Sequence, residues 1–122
     1  MSYQTHVCAA KAGVDMVTRT LALEWGADGI RVKSIVPGPI GDTEGMARLA
    51  PTPELLDAVT KSVPLGRLGT VDDIAKAAGM LSSDAGAYIS GAILPVDGGW
   101  SQGGATAVMI KMANVMDKMQ GK

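Results

Sequence analysis

No phenylalanine occurs in this sequence, and two tryptophans and two tyrosines are its whole aromatic complement. A core of stacked rings is excluded, so packing falls to Val, Ile, Leu, Met and Ala and to close glycine contacts. The single cysteine, Cys8, excludes an intramolecular disulfide and fits a reducing compartment; on a predicted helix it is expected to be a buried, inert thiol. The single histidine, His6, has no metal-ligand spacing around it, so a structural or surface role is expected and no metal site. Eleven basic residues stand against twelve acidic ones and are scattered, which leaves no electrostatic footprint for nucleic acid or anionic lipid. No apolar run approaches the ~20 residues needed to cross a bilayer, and the N-terminus lacks the basic-then-apolar order of a secretory signal. A soluble chain with neither nucleic acid nor membrane as partner is expected.

About half of the 122 residues are apolar, enough for one domain with a modest core. Val7, Ala10, Val14, Val17, Leu21 and Trp25 recur at spacings of three and four and predict a helix over 5–25. Ala9, Gly13, Met16, Thr20 and Leu23 form a second, smaller-residue face, so this helix is expected to contact two neighbours. Gly26 and Gly29 break it, and the β-branched run 30–36 predicts a strand covered on both faces. Pro37-Gly38-Pro39-Ile40 then stops the strand. The stretch 41–65 weakens into glycine, proline and acidic residues with short helical pieces near 46–49 and 53–62; such an excursion after a strand is expected to be a binding lid.

Thr70 is a predicted N-cap with Asp73 three residues on, where a carboxylate suits the helix dipole, and the helix should run over 71–81. A short strand follows at 92–96, closed by Asp97-Gly98-Gly99, and a tail helix at 108–119 whose apolar face is Met109, Met112, Met116 and Met119, read as core or interface. This order predicts an α/β chain, half of a doubly wound parallel sheet, because parallel strands need crossovers of this length. No strand here is followed by Gly-x-x-x-Gly-x-Gly or Gly-x-Gly-x-x-Gly, and Gly98-Gly99 and Gly103-Gly104 open no helix in a βαβ unit. The glycine-rich nucleotide-phosphate site is expected to be absent.

The run Gln4 to Lys11, the turn Pro37-Gly38-Pro39-Ile40, the helix start Arg67 to Ala75 and the closing Ser90-Gly91-Ala92 with Val96-Asp97-Gly98-Gly99 together resemble the C-terminal half of a short-chain dehydrogenase/reductase. Within that family the resemblance is greatest to the 2,4-dienoyl-CoA reductase branch, particularly its peroxisomal type, and it covers about Tyr3 to Trp100. It implies a Rossmann-like sheet, NADPH as cofactor, an acyl-CoA substrate and a homo-oligomeric parent in which the first helix and the last strand lie at subunit interfaces. It also implies a peroxisomal setting, although the chain ends Met119-Gln120-Gly121-Lys122 and not in a Ser-Lys-Leu address; a cytoplasmic location is the other expectation.

By the same resemblance Lys11 holds the nicotinamide ribose hydroxyls, which suits an ammonium with several donors. Most family members carry a tyrosine proton donor one turn before that lysine. Val7 stands there instead, which disfavours an ordinary ketone reductase and favours the dienoyl-CoA branch. Tyr3, two turns before Lys11, is either a substitute acid or a fraying terminal residue. The backbone around Ile40 would meet the nicotinamide carboxamide, with Pro37 and Pro39 fixing the turn and Gly38 allowing close approach. The family's threonine, five residues after the first proline, is replaced by Asp42; Thr43 is its shifted counterpart for a diphosphate contact. Met46, Leu49, Leu55 and Leu56 either line an acyl pocket in the lid or anchor the lid. Arg48, Lys61 and Arg67 are solvated surface charge or contacts to coenzyme A phosphates. The turn at Asp97 is read as structural. Two further readings stay open: a 3-oxoacyl or other carbonyl reductase, and a non-catalytic fragment or docking subunit.

Overall fold

The computed structural model describes residues 5–119 and 121, and omits the side chains of Ala105, Ala107, Met109, Lys111, Met112 and Met116. Tyr3 and most of the expected methionine face therefore lie outside the described residues. The elements are α1 (Thr5–Trp25), β1 (Ser34–Pro37), α2 (Glu44–Leu49), α3 (Pro53–Ser62), α4 (Val71–Ser82), β2 (Ile93–Val96) and α5 (Gly104–Met119), with short 3-10 turns between. The chain divides into two compact units, Met1–Val36 with Lys76–Leu94, and Pro37–Ala75 with Pro95–Lys122. β1 and β2 form a two-stranded sheet. Its register is parallel: Ser34 N–H donates to the Ala92 carbonyl at 2.9 Å and Gly38 N–H to the Val96 carbonyl at 3.1 Å, so donor and acceptor advance together.

In the first unit α1 ends at Gly29, whose φ of 75° is left-handed and whose N–H closes on the Gly26 carbonyl. Only Thr18 is buried on this helix, its hydroxyl donating to the Val14 carbonyl one turn back. Cys8 is exposed, contrary to the expected buried thiol. The reason is that no described neighbour covers its face; Val14, Val17 and Trp25 of the predicted apolar stripe are exposed as well.

The strand expected from residue 30 begins at Ser34. Before it the chain serves another purpose. Arg31 Nη1 donates to the carbonyls of Leu81 at 2.6 Å and Gly86 at 2.7 Å, and Lys33 Nζ donates to the Leu81 carbonyl at 2.9 Å. The Leu81 carbonyl is an orphan acceptor at the end of α4, where positive charge also complements the helix dipole, and Gly86 closes the 3-10 turn that follows.

In the second unit local chemistry starts α2, α3 and α4. The Thr43 hydroxyl accepts from Met46 N–H and opens α2, and Thr52 does the same for Leu55 N–H, with Pro53 in the first turn of α3. Thr70 and Asp73 cap α4 reciprocally: Asp73 N–H donates to Thr70 Oγ1 at 3.1 Å, and Thr70 N–H donates to Asp73 Oδ2 at 2.8 Å. The core cluster is Met46, Ala50, Val59 and Val108, with Leu49, Leu55 and Leu68 packed against it. Only Val59 among the described large side chains is fully buried. Stretch 41–65, read as an irregular lid, thus contains most of this unit's core. The tail helix begins at Gly104, earlier than the methionine pattern indicated, and packs on α3.

Arg31→Met should lower the unfolding free energy by about 2 kcal/mol in a urea titration, because several carbonyls lose a charged donor together.

Candidate functional site

Lys11 sits mid-helix on α1, exposed, with Val7 one turn before it and also exposed. Among the described residues it has no hydrogen-bond or ion-pair partner, so its ammonium is uncommitted within the first unit. His6 is exposed on the same helix.

The other candidate residues belong to the second unit. An ideal Cβ on Gly38 would stand 2.6 Å from both Cα and Cβ of Asp97. The close approach that the turn requires is therefore met by a protein neighbour. Pro39 is buried behind it. Ile40 then makes a parallel bridge with Gly69, built from Gly69 N–H to the Pro39 carbonyl and Gly41 N–H to the Gly69 carbonyl, both 2.9 Å. Such a bridge uses the groups flanking Ile40 and leaves its own N–H and carbonyl on the opposite edge. The Thr43 hydroxyl donates to that carbonyl at 2.8 Å, while no acceptor stands against Ile40 N–H among the described residues. This backbone edge fits a planar amide, which needs a donor and an acceptor side by side.

Thr43 is more constrained. Its proton goes to the Ile40 carbonyl and its oxygen accepts from Met46 N–H, so in this arrangement it has no proton to give a phosphate oxygen. Asp42, which displaces the family's threonine by one position, is left-handed with φ 55°, a conformation that costs a non-glycine residue about 1 kcal/mol or more.

Two cavities adjoin this turn. The larger, about 750 Å³, is walled by Gly41, Asp42, Thr43, Met46, Leu56 and Val71 among others. Met46 and Leu56 line it; Leu49 and Leu55 pack against the core cluster instead. The smaller, about 170 Å³, is walled by Pro39, Ile40, Val96 and Asp97, with Leu65 and Arg67 beside them. The turn pattern at Asp97 indicates a structural role only, yet its side chain faces a cavity beside Ile40. Its carboxylate accepts from the N–H groups of Gly99 and Ser101, both 2.9 Å. Burial acts to raise its pKa, but the bonds from Ser101 and Gly99 outweigh burial and hold it below the ordinary carboxylate range. The pattern Asp-Gly-Gly with Ser101 beyond it was the available signal, since an aspartate before such a turn collects backbone donors.

The three cations considered for phosphate contact each have a carboxylate partner: Arg48 with Glu44, Lys61 with Asp57 at 2.7 Å and Arg67 with Asp73 at 2.7 Å. The Arg67 hydrogen bonds, followed by those of Thr70, depress the Asp73 pKa far below its ordinary value.

A family model described as enoyl-(acyl carrier protein) reductase matches residues 1–101. The chain belongs to the short-chain dehydrogenase/reductase family. This family member is 54% identical over 98 residues to the peroxisomal 2,4-dienoyl-CoA reductase of Arabidopsis thaliana, covering 80% of this chain and 33% of that protein. It is 47% identical over 96 residues to the 3-oxoacyl-[acyl-carrier-protein] reductase of Pseudomonas aeruginosa, covering 79% and 38%. Among solved structures it is similar to an Agrobacterium tumefaciens protein assigned as a 2-deoxy-D-gluconate 3-dehydrogenase and bearing NADP. There the TM-score is 0.70 at 47% identity, over 77% of this chain and 38% of that one. The family member thus spans about a third of the length of the curated relatives it matches, and its fold is that of the Rossmann-type α/β proteins.

Two outcomes follow for this unit. Gly38→Ala should cost about 1–3 kcal/mol by overpacking against Asp97, measured by chemical denaturation. Asp73 is ionised more readily folded than unfolded, so its contribution is complete above the unfolded carboxylate range and is lost as pH falls toward the folded value. Asp73→Asn should therefore flatten the loss of stability below about pH 4, read from thermal melts across an acid series.

Proposed function

We propose that this chain is the C-terminal portion of an NADPH-dependent 2,4-dienoyl-CoA reductase. The observation that carries the reading is Lys11 with Val7 in the tyrosine position, in a chain 54% identical to a peroxisomal enzyme of that activity. NADPH, when bound, supplies the hydride that reduces the conjugated acyl thioester. Lys11 would hold the nicotinamide ribose hydroxyls, and the free N–H of Ile40 with its neighbouring carbonyl would orient the carboxamide. Pro37 and Gly38 fix that edge. Thr43 shapes the turn through its bond to Ile40, and a phosphate contact would need its hydroxyl to rotate.

Val7 carries no acid, so the dienolate left by hydride addition would take its proton from another group or an ordered water. Met46 and Leu56 supply the apolar wall for the acyl chain, with Leu49 and Leu55 bracing it from the core. The parent enzyme on this reading is a homo-oligomer in an unsaturated fatty acid β-oxidation setting, peroxisomal as in the Arabidopsis relative. The isolated chain, without a glycine-rich phosphate loop, would be inactive.

The similarity to a 3-oxoacyl reductase supports a second reading, a short-chain carbonyl reductase. To separate them, residues 1–122 would replace the matching third of the Arabidopsis reductase, and NADPH oxidation would be followed with 2,4-dienoyl-CoA and with 3-oxoacyl substrates. Dienoyl-CoA turnover that drops about 10²-fold or more in Lys11→Ala is expected. Turnover of 3-oxoacyl substrates alone would establish the carbonyl reductase, and a folded chimera that binds no NADPH would leave the chain a non-catalytic docking piece.

A further inference from the structure

The family match ends at residue 101, while α5 runs over Gly104–Met119, wholly beyond it. A tail outside a family's shared region is commonly a loose appendage. Here it supplies part of the core. Val108 is 4% exposed and belongs to the cluster that contains Met46 and Ala50 of the α2 segment and Val59 of α3. Val59 is 0% exposed, and α5 packs directly on α3.

The approach to α5 is fastened at a second point. The Trp100 indole N–H donates to Ser62 Oγ at 2.9 Å, and Ser62 Oγ donates to the Val59 carbonyl at 2.6 Å. Ser62 is the last residue of α3. At Gly104 the chain passes so close to the Ser62 carbonyl and the Trp100 ring that a Cβ would collide with both. The C-terminal end of α3 is thus gripped by Trp100 and Gly104, and its middle by Val108.

We infer that α5 is a clasp for the lid: it fixes α3, and through the shared cluster α2, from behind, and so sets the width of the cavity that Met46 and Leu56 wall. α2 and α3 together provide those two walls. A helix with its apolar face seated opens only by exposing that face, so each buried valine adds to the free energy of lid opening. The consequence for substrate is that the size of chain admitted depends on a segment lying outside the family's shared sequence. This consequence rests on the reading of α2 and α3 as the acyl lid, whereas the clasp itself does not.

The test is backbone amide exchange on the full 122-residue chain without ligand, in the native sequence and in Val108→Asp, Val108→Ala and Ile110→Ala. Ile110 is 58% exposed on the same helix and serves as the control. Amides of 44–62 should exchange about tenfold faster or more in Val108→Asp, by a smaller factor in Val108→Ala, and unchanged in Ile110→Ala. Amides of 76–82, outside this unit, should keep their native rates. If Val108→Asp unfolds the chain, the graded comparison of Val108→Ala with Ile110→Ala decides.

Unchanged exchange over 44–62 in both Val108 variants would overturn the clasp, as would an equal effect from Ile110→Ala or an absence of protection there in the native chain. Should the clasp hold while the Arabidopsis chimera shows no response of KM to acyl length in Val108→Ala, the lid reading fails and the clasp stands.

Discussion

The missing side chain at Gly38 is the constraint on which the candidate site depends. It lets the end of β1 settle against Asp97, close enough for Gly38 N–H to continue the ladder to Val96. With that contact made, Pro39 is carried into the interior and Ile40 is delivered to its bridge with Gly69. The bridge decides which way the Ile40 amide faces, and the Thr43 hydroxyl closes on the exposed carbonyl. A backbone edge is thereby presented without any reactive side chain. Proline on either side of the glycine narrows the alternatives further, because two of the four residues have φ fixed by their rings.

Where a residue's role is set by its immediate neighbours, the sequence disclosed it. Thr70 and Asp73 announce a reciprocal cap because both partners lie within one turn, and α1 is legible because its period is long and regular. Roles set across the chain were hidden. Arg31 and Lys33 look like the polar positions of an alternating strand, yet their partners are carbonyls some fifty residues away. Leu55 and Leu56 are adjacent apolar residues of one short helix, and periodicity shows two faces without saying which meets the core and which a cavity. Cys8 was expected inside because a free cysteine is usually buried; here no described neighbour covers it.

The two units are held by different forces. In the second, four side chains from three segments form a dry cluster, the kind of contact whose strength scales with area removed from water. In the first, only Thr18 of α1 is buried, while the residues before β1 are tied to the end of α4 and to the turn after it by charged donors. Lys33 there is held below its ordinary pKa by partial burial and by the charge of Arg31, which shows two cations sharing one set of acceptors. Hydrogen bonds of this sort fix direction strongly and contribute modest net stability. The second unit is thus defined by what it excludes, the first by what it orients.

That difference bears on the chemistry assigned to Lys11. A lysine kept beside a catalytic tyrosine has two tasks, to bind and to favour the phenolate by its charge. With valine at position 7 the second task has no object, since an alkyl group has no proton to shift. On the proposed reading only binding is left for the ammonium, and binding asks merely that it be exposed and uncommitted. The arrangement on α1 meets both conditions among the described residues. On the proposed reading, protonation of the reduced substrate would then depend on groups outside this helix. A carboxylate held ionised, as Asp97 is by its two backbone donors, cannot deliver a proton from its own store near neutral pH. It can accept one, and it can orient a donor that approaches it, such as water. On the proposed reading, valine at position 7 would therefore move the proton source from a tyrosine one turn before Lys11 to another group or an ordered water.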